Sequence, residues 1–238
     1  MRVFGEKHPI IFEIIIFVIG SLLAIFAAGA FKVCGFDNEI SISAARILIG
    51  VALLAVFHKC FAFGNSFKGF VLMLPALLLA VYKIPYHFIS GGGTPNRITI
   101  PVLLIGLAPA VFEEIIFRGI FISKLKKKFN SPTAIVLISA VVFSLAHLIN
   151  MSSMTTLSLF LQLIMALVSG IVFGAIYLYT GDLVSIIAAH FAVDVLGGIF
   201  CGGEKTVNYF YIILAVLWIL ETVYGFLIVK KITAEKEQ

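Results

Sequence analysis

Ala108-Pro109-Ala110-Val111-Phe112-Glu113-Glu114-Ile115-Ile116-Phe117-Arg118-Gly119 sets two adjacent carboxylates and an arginine inside apolar sequence that continues on both sides, over 98–107 and 120–122. Its length and apolarity suit a membrane-spanning helix, and its charges do not suit an idle one. On insertion scales a charged side chain at the centre of such a helix costs about 2.5–3.5 kcal/mol, so ionisable residues there mark function by default. The rest of the chain reads as a container that holds this segment and brings histidines to it.

Working outward, composition gives the same class. Of 238 residues 61% are hydrophobic and 12% charged, against about 45–50% and about 25% in soluble domains. Too few polar side chains remain to cover a water-facing surface, so the chain is expected to be an all-α polytopic membrane protein. The net charge of +5 does not indicate nucleic acid, because the basic residues flank apolar spans, where the positive-inside rule accounts for them. Cys34, Cys60 and Cys201 have no metal-type spacing and read as apolar filler. A Cys34–Cys201 bridge is conceivable only because both fall near one face of the expected topology.

A span needs about 20 apolar residues. On that rule about eight are expected, over 9–31, 41–63, 69–89, 98–124, 132–150, 155–180, 182–201 and 207–229, enclosing a polar cavity at mid-membrane depth. Turn chemistry separates them, including Gly64-Asn65-Ser66, Thr180-Gly181-Asp182 and Gly202-Gly203-Glu204. The chain reads as one transmembrane domain, 1–238, with its motif-bearing core over about 98–201. The first apolar run exceeds the roughly 7–15 residues of a signal h-region and is expected to stay as an uncleaved helix. Glu13, near its start, is expected at the interface.

Lysine and arginine counted over alternate loops place Arg2, Lys7, Lys59, Lys68, Lys124, Lys126, Lys127, Lys128, Lys230, Lys231 and Lys236 on one side. Lys32, Lys83, Arg97 and Lys205 fall on the other. This bias puts both termini in the cytoplasm. The cluster at Lys124–Lys128 also suits anionic lipid. Arg46 and Glu221 are ionisable residues within spans, open to pairing with other helices or to a place near a cavity; the sequence does not choose between these.

Within the fourth span Glu114 and Arg118 are four apart and share a helix face. An arginine keeps its proton and at this depth needs a partner, which Glu114 supplies. Glu113 is rotated about 100° away and is left over, suited to act as general base or water ligand. The fifth span carries Phe143-Ser144-Leu145-Ala146-His147, and the seventh carries His190-Phe191-Ala192-Val193-Asp194, with His190 and Asp194 on one face. At 1.5 Å per residue Glu113 lies roughly 16 Å from Lys124, His147 roughly 22 Å from Pro132, and His190 and Asp194 about 12 and 18 Å from Asp182. All four fall within the middle of a core about 30 Å thick, and they read as one hydrolytic site.

Two chemistries fit those four residues. They offer oxygen and nitrogen donors for Zn²⁺, which would activate a bound water. Alternatively Glu113 and His147 activate water without metal while His190 and Asp194 stabilise the oxyanion. Ser144 lacks the Gly-x-Ser-x-Gly frame of a nucleophile. Gly170 and Gly174 have GxxxG spacing, which serves helix packing.

Glu113-Glu114-x-x-x-Arg118, Phe143-x-x-x-His147 and His190-x-x-x-Asp194, in this order on successive apolar helices, resemble the three motifs of the CPBP family. These are the CAAX proteases and bacteriocin-processing enzymes, also called Abi, and include the type II CAAX prenyl endopeptidases. The resemblance implies an intramembrane endopeptidase with a cavity open to the cytoplasm. It implies that Glu113 and His147 activate the catalytic water, with His190 and Asp194 as oxyanion support or metal ligands. Glu114, Arg118 and Phe143 would match supporting positions. Prenyl-protein members carry Asn where this chain has Asp194. The family has been described both as metalloproteases and as glutamate-type proteases, so the metal stays open.

The expected substrate is a membrane-associated peptide or protein, within a bacterial plasma membrane. In bacteria such homologues are associated with peptide maturation, bacteriocin immunity and surface-protein regulation. Two other classes remain: a transporter using the buried charges as a proton or ion path, and a non-catalytic immunity or scaffold protein.

Overall fold

The computed structural model describes residues 2–61, 64, 66–201 and 208–236. The turns expected at Asn65 and over 202–204, and Lys205, lie outside the described residues. Helix α1 (Arg2–Lys7) leads into α2 (Pro9–Val33) and α3 (Asn38–Val56), which is capped by Asp37 accepting from the Ile40 N–H at 2.9 Å. Short helices α4 (Ser66–Met73), α5 (Leu78–Val81) and α6 (Lys83–Ile89) follow. Helix α7 (Ile100–Glu114) runs through a π-helical segment, Ile115–Phe121, into α8 (Ile122–Lys128) as one 29-residue rod. Then come α9 (Pro132–Ala146), a 3₁₀ turn over His147–Ser152, α10 (Thr156–Thr180), α11 (Leu183–Ile199) and α12 (Asn208–Lys236). No β-strand occurs among the described residues.

Six of these helices are long and apolar enough to cross a membrane. The expected eight spans resolve as those six, the 17-residue α11, and a broken stretch. The span expected over 69–89 is interrupted at Pro75, which opens a 3₁₀ turn, and α6 itself contains Pro85. Proline lacks the N–H of an α-helical bond and its ring crowds the preceding turn. Around the bundle, Ile25, Phe26, Val56, Phe160, Ile212 and Ile219 stand out from the protein at more than half exposure. In water so continuous an apolar exterior would drive association; in lipid it is the matching surface.

The core is centred on the π segment, where all seven residues are buried. Phe112, Phe117, Phe121, Ile116 and Ile120 pack there with Val136, Ala140 and Phe143 of α9 and Val172, Phe173 and Ile176 of α10. Small residues permit the close approach: a Cβ on Gly170 would stand 2.9 Å from Ala140 Cα, and one on Gly225 of α12 2.8 Å from Ile171. Gly181 takes a left-handed φ of 67° to end α10. The next residue, Asp182, accepts from the Val184 and Ser185 N–H groups to start α11. The turn expected there is present.

The rods run alternately, so the bundle has two distinct ends. At one, Lys127 pairs with Glu6 at 2.6 Å, Lys128 Nζ donates to Lys7 O, and Tyr179 OH donates to Glu235. Helix α1, the end of α12 and the lysine cluster gather there. At the other, Asn96 N–H donates to Ile199 O, His87 Nδ1 lies 2.7 Å from Cys201 O, and Tyr82 OH donates to Phe210 O.

Cys34 and Cys201 are free, so the conceivable bridge between them is not formed. Three expectations change. Glu13 is fully buried rather than interfacial, because α1 and α8 cover the start of α2. Lys124, counted with the surface cluster, is buried with Nζ 5.5 Å from the Phe12 ring centre. Lys83, counted as a loop lysine, donates to Val193 O at 3.1 Å and joins the wall of the central cavity.

Candidate active site

Glu114 is the hub of the polar interior. Its Oε2 lies 3.1 Å from Arg118 Nε, and both side chains are wholly buried. The angle falls outside hydrogen-bond geometry, so the contact is an ion pair. The spacing of four therefore produces the expected partnership, although Arg118 sits in the π segment rather than on a regular α-helix. The guanidinium lies flat against aromatic rings, 4.0 Å over Phe143 and 5.7 Å from the Phe173 centre. A desolvated cation–π contact of this kind contributes about 2 kcal/mol.

The second oxygen of Glu114 reaches a different helix. His190 Nδ1 stands 2.7 Å from Glu114 Oε1, and its Nε2 stands 3.4 Å from Asp194 Oδ2. A carboxylate oxygen only accepts, so each ring nitrogen is faced by an acceptor and the imidazole is held as a donor. The Glu114 contact is short and buried; the Asp194 contact is loose, and the Asp194 side chain is 30% exposed. The expected His190–Asp194 pairing is present. The Glu114–His190 bond was not legible in the sequence.

His147 opens the 3₁₀ turn after α9, and its Nδ1 lies 3.0 Å from Phe143 O. A carbonyl oxygen also only accepts, so Nδ1 carries the hydrogen and the neutral ring keeps its lone pair on Nε2. Phe143 thus does two things: its ring seats Arg118 and its carbonyl sets the tautomer of His147. Glu113 leaves Oε2 buried with no hydrogen-bond partner among the described residues. A buried acceptor without a partner calls for water.

Glu113, His147, His190 and Asp194 line one cavity of about 700 Å³, so residues expected at one depth do share one space. The wall also carries Arg46, Lys83 and Glu221, together with an Asn150 Nδ2–Gln162 Oε1 hydrogen bond of 3.1 Å. Arg46 and Glu221 thus take one of the two places the sequence left open for them, beside a cavity, whereas Lys83, Asn150 and Gln162 were missed. Asn150 and Gln162 flank Met151-Ser152-Ser153 and look like ordinary loop-end residues. Ser144 Oγ donates to Leu163 O at 2.8 Å, a tie between α9 and α10 rather than a nucleophile beside its base.

The four residues were also candidate Zn²⁺ ligands. Among the described residues no group of three or more His, Cys, Asp or Glu side chains is arranged to hold a metal ion. His190 has no ring nitrogen turned away from a carboxylate. The donor set as it stands does not fit zinc, and no step below is routed through a metal.

The cavity has a direction. Its lining runs from Phe117 and Phe173 at its floor towards Arg46, Ile149, Asn150, Lys83 and Gly198. These lie in the half of the bundle remote from the termini and the lysine cluster. Cytoplasmic termini and a cytoplasm-facing cavity, both expected, exclude each other in this fold.

Residues 95–196 match the family model described as Type II CAAX prenyl endopeptidase Rce1-like. That segment contains all three motifs, so the expected resemblance to CAAX proteases is shown over it, and it supports an intramembrane endopeptidase of CAAX-protease type. No curated protein and no solved structure matches the chain.

Proposed function

We propose that this chain, Rce1-like over the segment that builds its cavity, hydrolyses a peptide bond of a membrane-associated peptide or protein by water activated between Glu113 and His147. The observation that carries this is the meeting of Glu113, His147, His190 and Asp194 in one cavity. Glu113 supplies a free buried acceptor for the water, and His147 Nε2 supplies the lone pair that takes its proton. As the water oxygen bonds to the scissile carbonyl carbon, charge develops on the carbonyl oxygen. His190 meets that charge with Nε2–H, released from its loose contact with Asp194, while Glu114 holds the other side of the ring. The proton gained by His147 or Glu113 then passes to the departing amine as the carbon–nitrogen bond breaks. Preorganised donors at a developing oxyanion contribute about 10²–10³-fold in rate each, and a positioned general base about 10²–10⁴-fold.

Arg118 and Phe143 are positioning residues in this scheme. The substrates are peptides or proteins of a bacterial plasma membrane, in maturation or bacteriocin immunity, with the chain's termini in the cytoplasm. The test is turnover of a quenched membrane peptide by purified protein in detergent. Glu113→Ala, His147→Ala and His190→Ala are each expected to abolish it, and variants that cleave as well as the parent chain would overturn the scheme.

A further inference from the structure

Two features fix how a peptide can reach the site. Towards the lysine-rich end the cavity floor is sealed: Ile115, Ile116, Phe117, Ile120, Phe121 and Ile122 are all at most 2% exposed. No side chain of that block leaves room for a polypeptide beside it. Towards the other end exposure rises step by step. Glu114 is wholly buried, His190 is 12% exposed and Asp194 30%, and beyond them Arg46 is exposed and Ile149 is 63% exposed. The chain directions agree with this gradient: the wall residues fall mostly in the C-terminal half of α2 and of α11, in the N-terminal half of α3 and of α10, and, except for Phe117, ahead of the midpoint of the 29-residue rod that α7 and α8 form.

The lysine-rich end is also where loop charge accumulates. Lys126, Lys127, Lys128, Lys230 and Lys231 sit within short reach of helix ends, where the positive-inside rule applies. At the cavity end Lys83 is withdrawn into the wall, which leaves that face still poorer in loop cations.

We propose that the cavity is reached from the extracytoplasmic side, so that the substrate is a membrane-anchored peptide presented from the outer leaflet or the outer aqueous face. This deepens the hydrolytic reading of the same site and rests on it for the word substrate, but the direction of access stands on fold and charge alone. The scissile bond then lies in the outer half of the bilayer, with the chain on one side of it extending outward.

The experiment uses the full chain in the membrane of intact cells, with Cys34, Cys60 and Cys201 replaced by serine. Ile149→Cys reports the cavity mouth and Lys126→Cys the lysine-rich end, each probed with a membrane-impermeant thiol reagent. Ile149→Cys is expected to be modified in intact cells, and Lys126→Cys only after permeabilisation. As a control free of engineered cysteines, the natural chain is expected to be modified at exposed Cys34 from outside. The reverse pattern, modification of both ends in intact cells, or an Ile149→Cys that never reacts would each overturn the proposal. The readout needs no catalysis, so it can fail while the protease reading survives, and loss of peptide turnover would sink that reading without touching the topology.

Discussion

Removing Glu114 should separate what holds the protein together from what makes it work. Its carboxylate faces Arg118 at 3.1 Å and His190 at 2.7 Å, with no exposure of either Glu114 or Arg118. Glu114→Ala strands a guanidinium in an apolar core. Removing one partner of a buried pair costs about 3–5 kcal/mol, because the remaining charge is left uncompensated. Part of that penalty belongs to Arg118, not to the lost contact, and the double variant Glu114→Leu/Arg118→Met isolates it. With both charges replaced by apolar groups of similar volume, most of the lost stability should return. Activity should not return, since His190 still lacks the acceptor on Nδ1. Thermal unfolding in detergent and turnover of a quenched peptide, measured on the parent, Glu114→Ala, the singles Glu114→Leu and Arg118→Met, and the double, complete the cycle. The reasoning is refuted if the double variant is less stable than Glu114→Ala, or if it regains turnover along with stability.

Three further outcomes are expected. Asp194→Asn keeps an acceptor for His190 Nε2–H, so it should retain more turnover than Asp194→Ala, with the difference appearing in kcat more than in KM. Gly119→Ala places a methyl against the Phe61 ring; overpacking of this kind costs about 1–3 kcal/mol, and Phe61→Ala in the same chain should recover part of it in unfolding measurements. Purified protein treated with a strong chelator and then desalted should cleave the quenched peptide at its former rate; activity lost to the chelator and restored by added Zn²⁺ would contradict water activation by Glu113 and His147 alone.

Much of the architecture was legible because the features behind it are local. Apolar run length predicts the spans, a spacing of four predicts the Glu114–Arg118 pair, and Thr180-Gly181-Asp182 contains the residues that a left-handed stop and a helix cap require. Depth counted along each helix also brought Glu113, His147, His190 and Asp194 to one level. What escaped depends on rotation between helices. The Glu114–His190 bond joins α7 to α11 and depends on how those two helices are turned against each other, which no spacing within either helix gives; the π segment after Glu114 is likewise unannounced by any residue pattern in 115–121. Glu13 was misjudged because distance from a helix end stands in for depth only when nothing covers that end; here α1 and α8 do. Lys83 was counted with the loop cations although it falls inside the span expected over 69–89; it starts α6 after the break at Pro75 and faces inward to Val193 O.

The sealed floor behind Phe117 and Phe121 has a kinetic consequence. A cavity closed at that end cannot pass a fragment through it, so whatever leaves must go by the open side where the next molecule arrives. For a hydrolase the same shape makes the departing fragment a competitor for the doorway, and release can then limit the cycle. The half of the product still anchored in lipid would clear by sideways diffusion while the freed half escapes into water. Turnover should therefore slow as cleaved peptide accumulates, and a longer anchor on the retained half should slow it more.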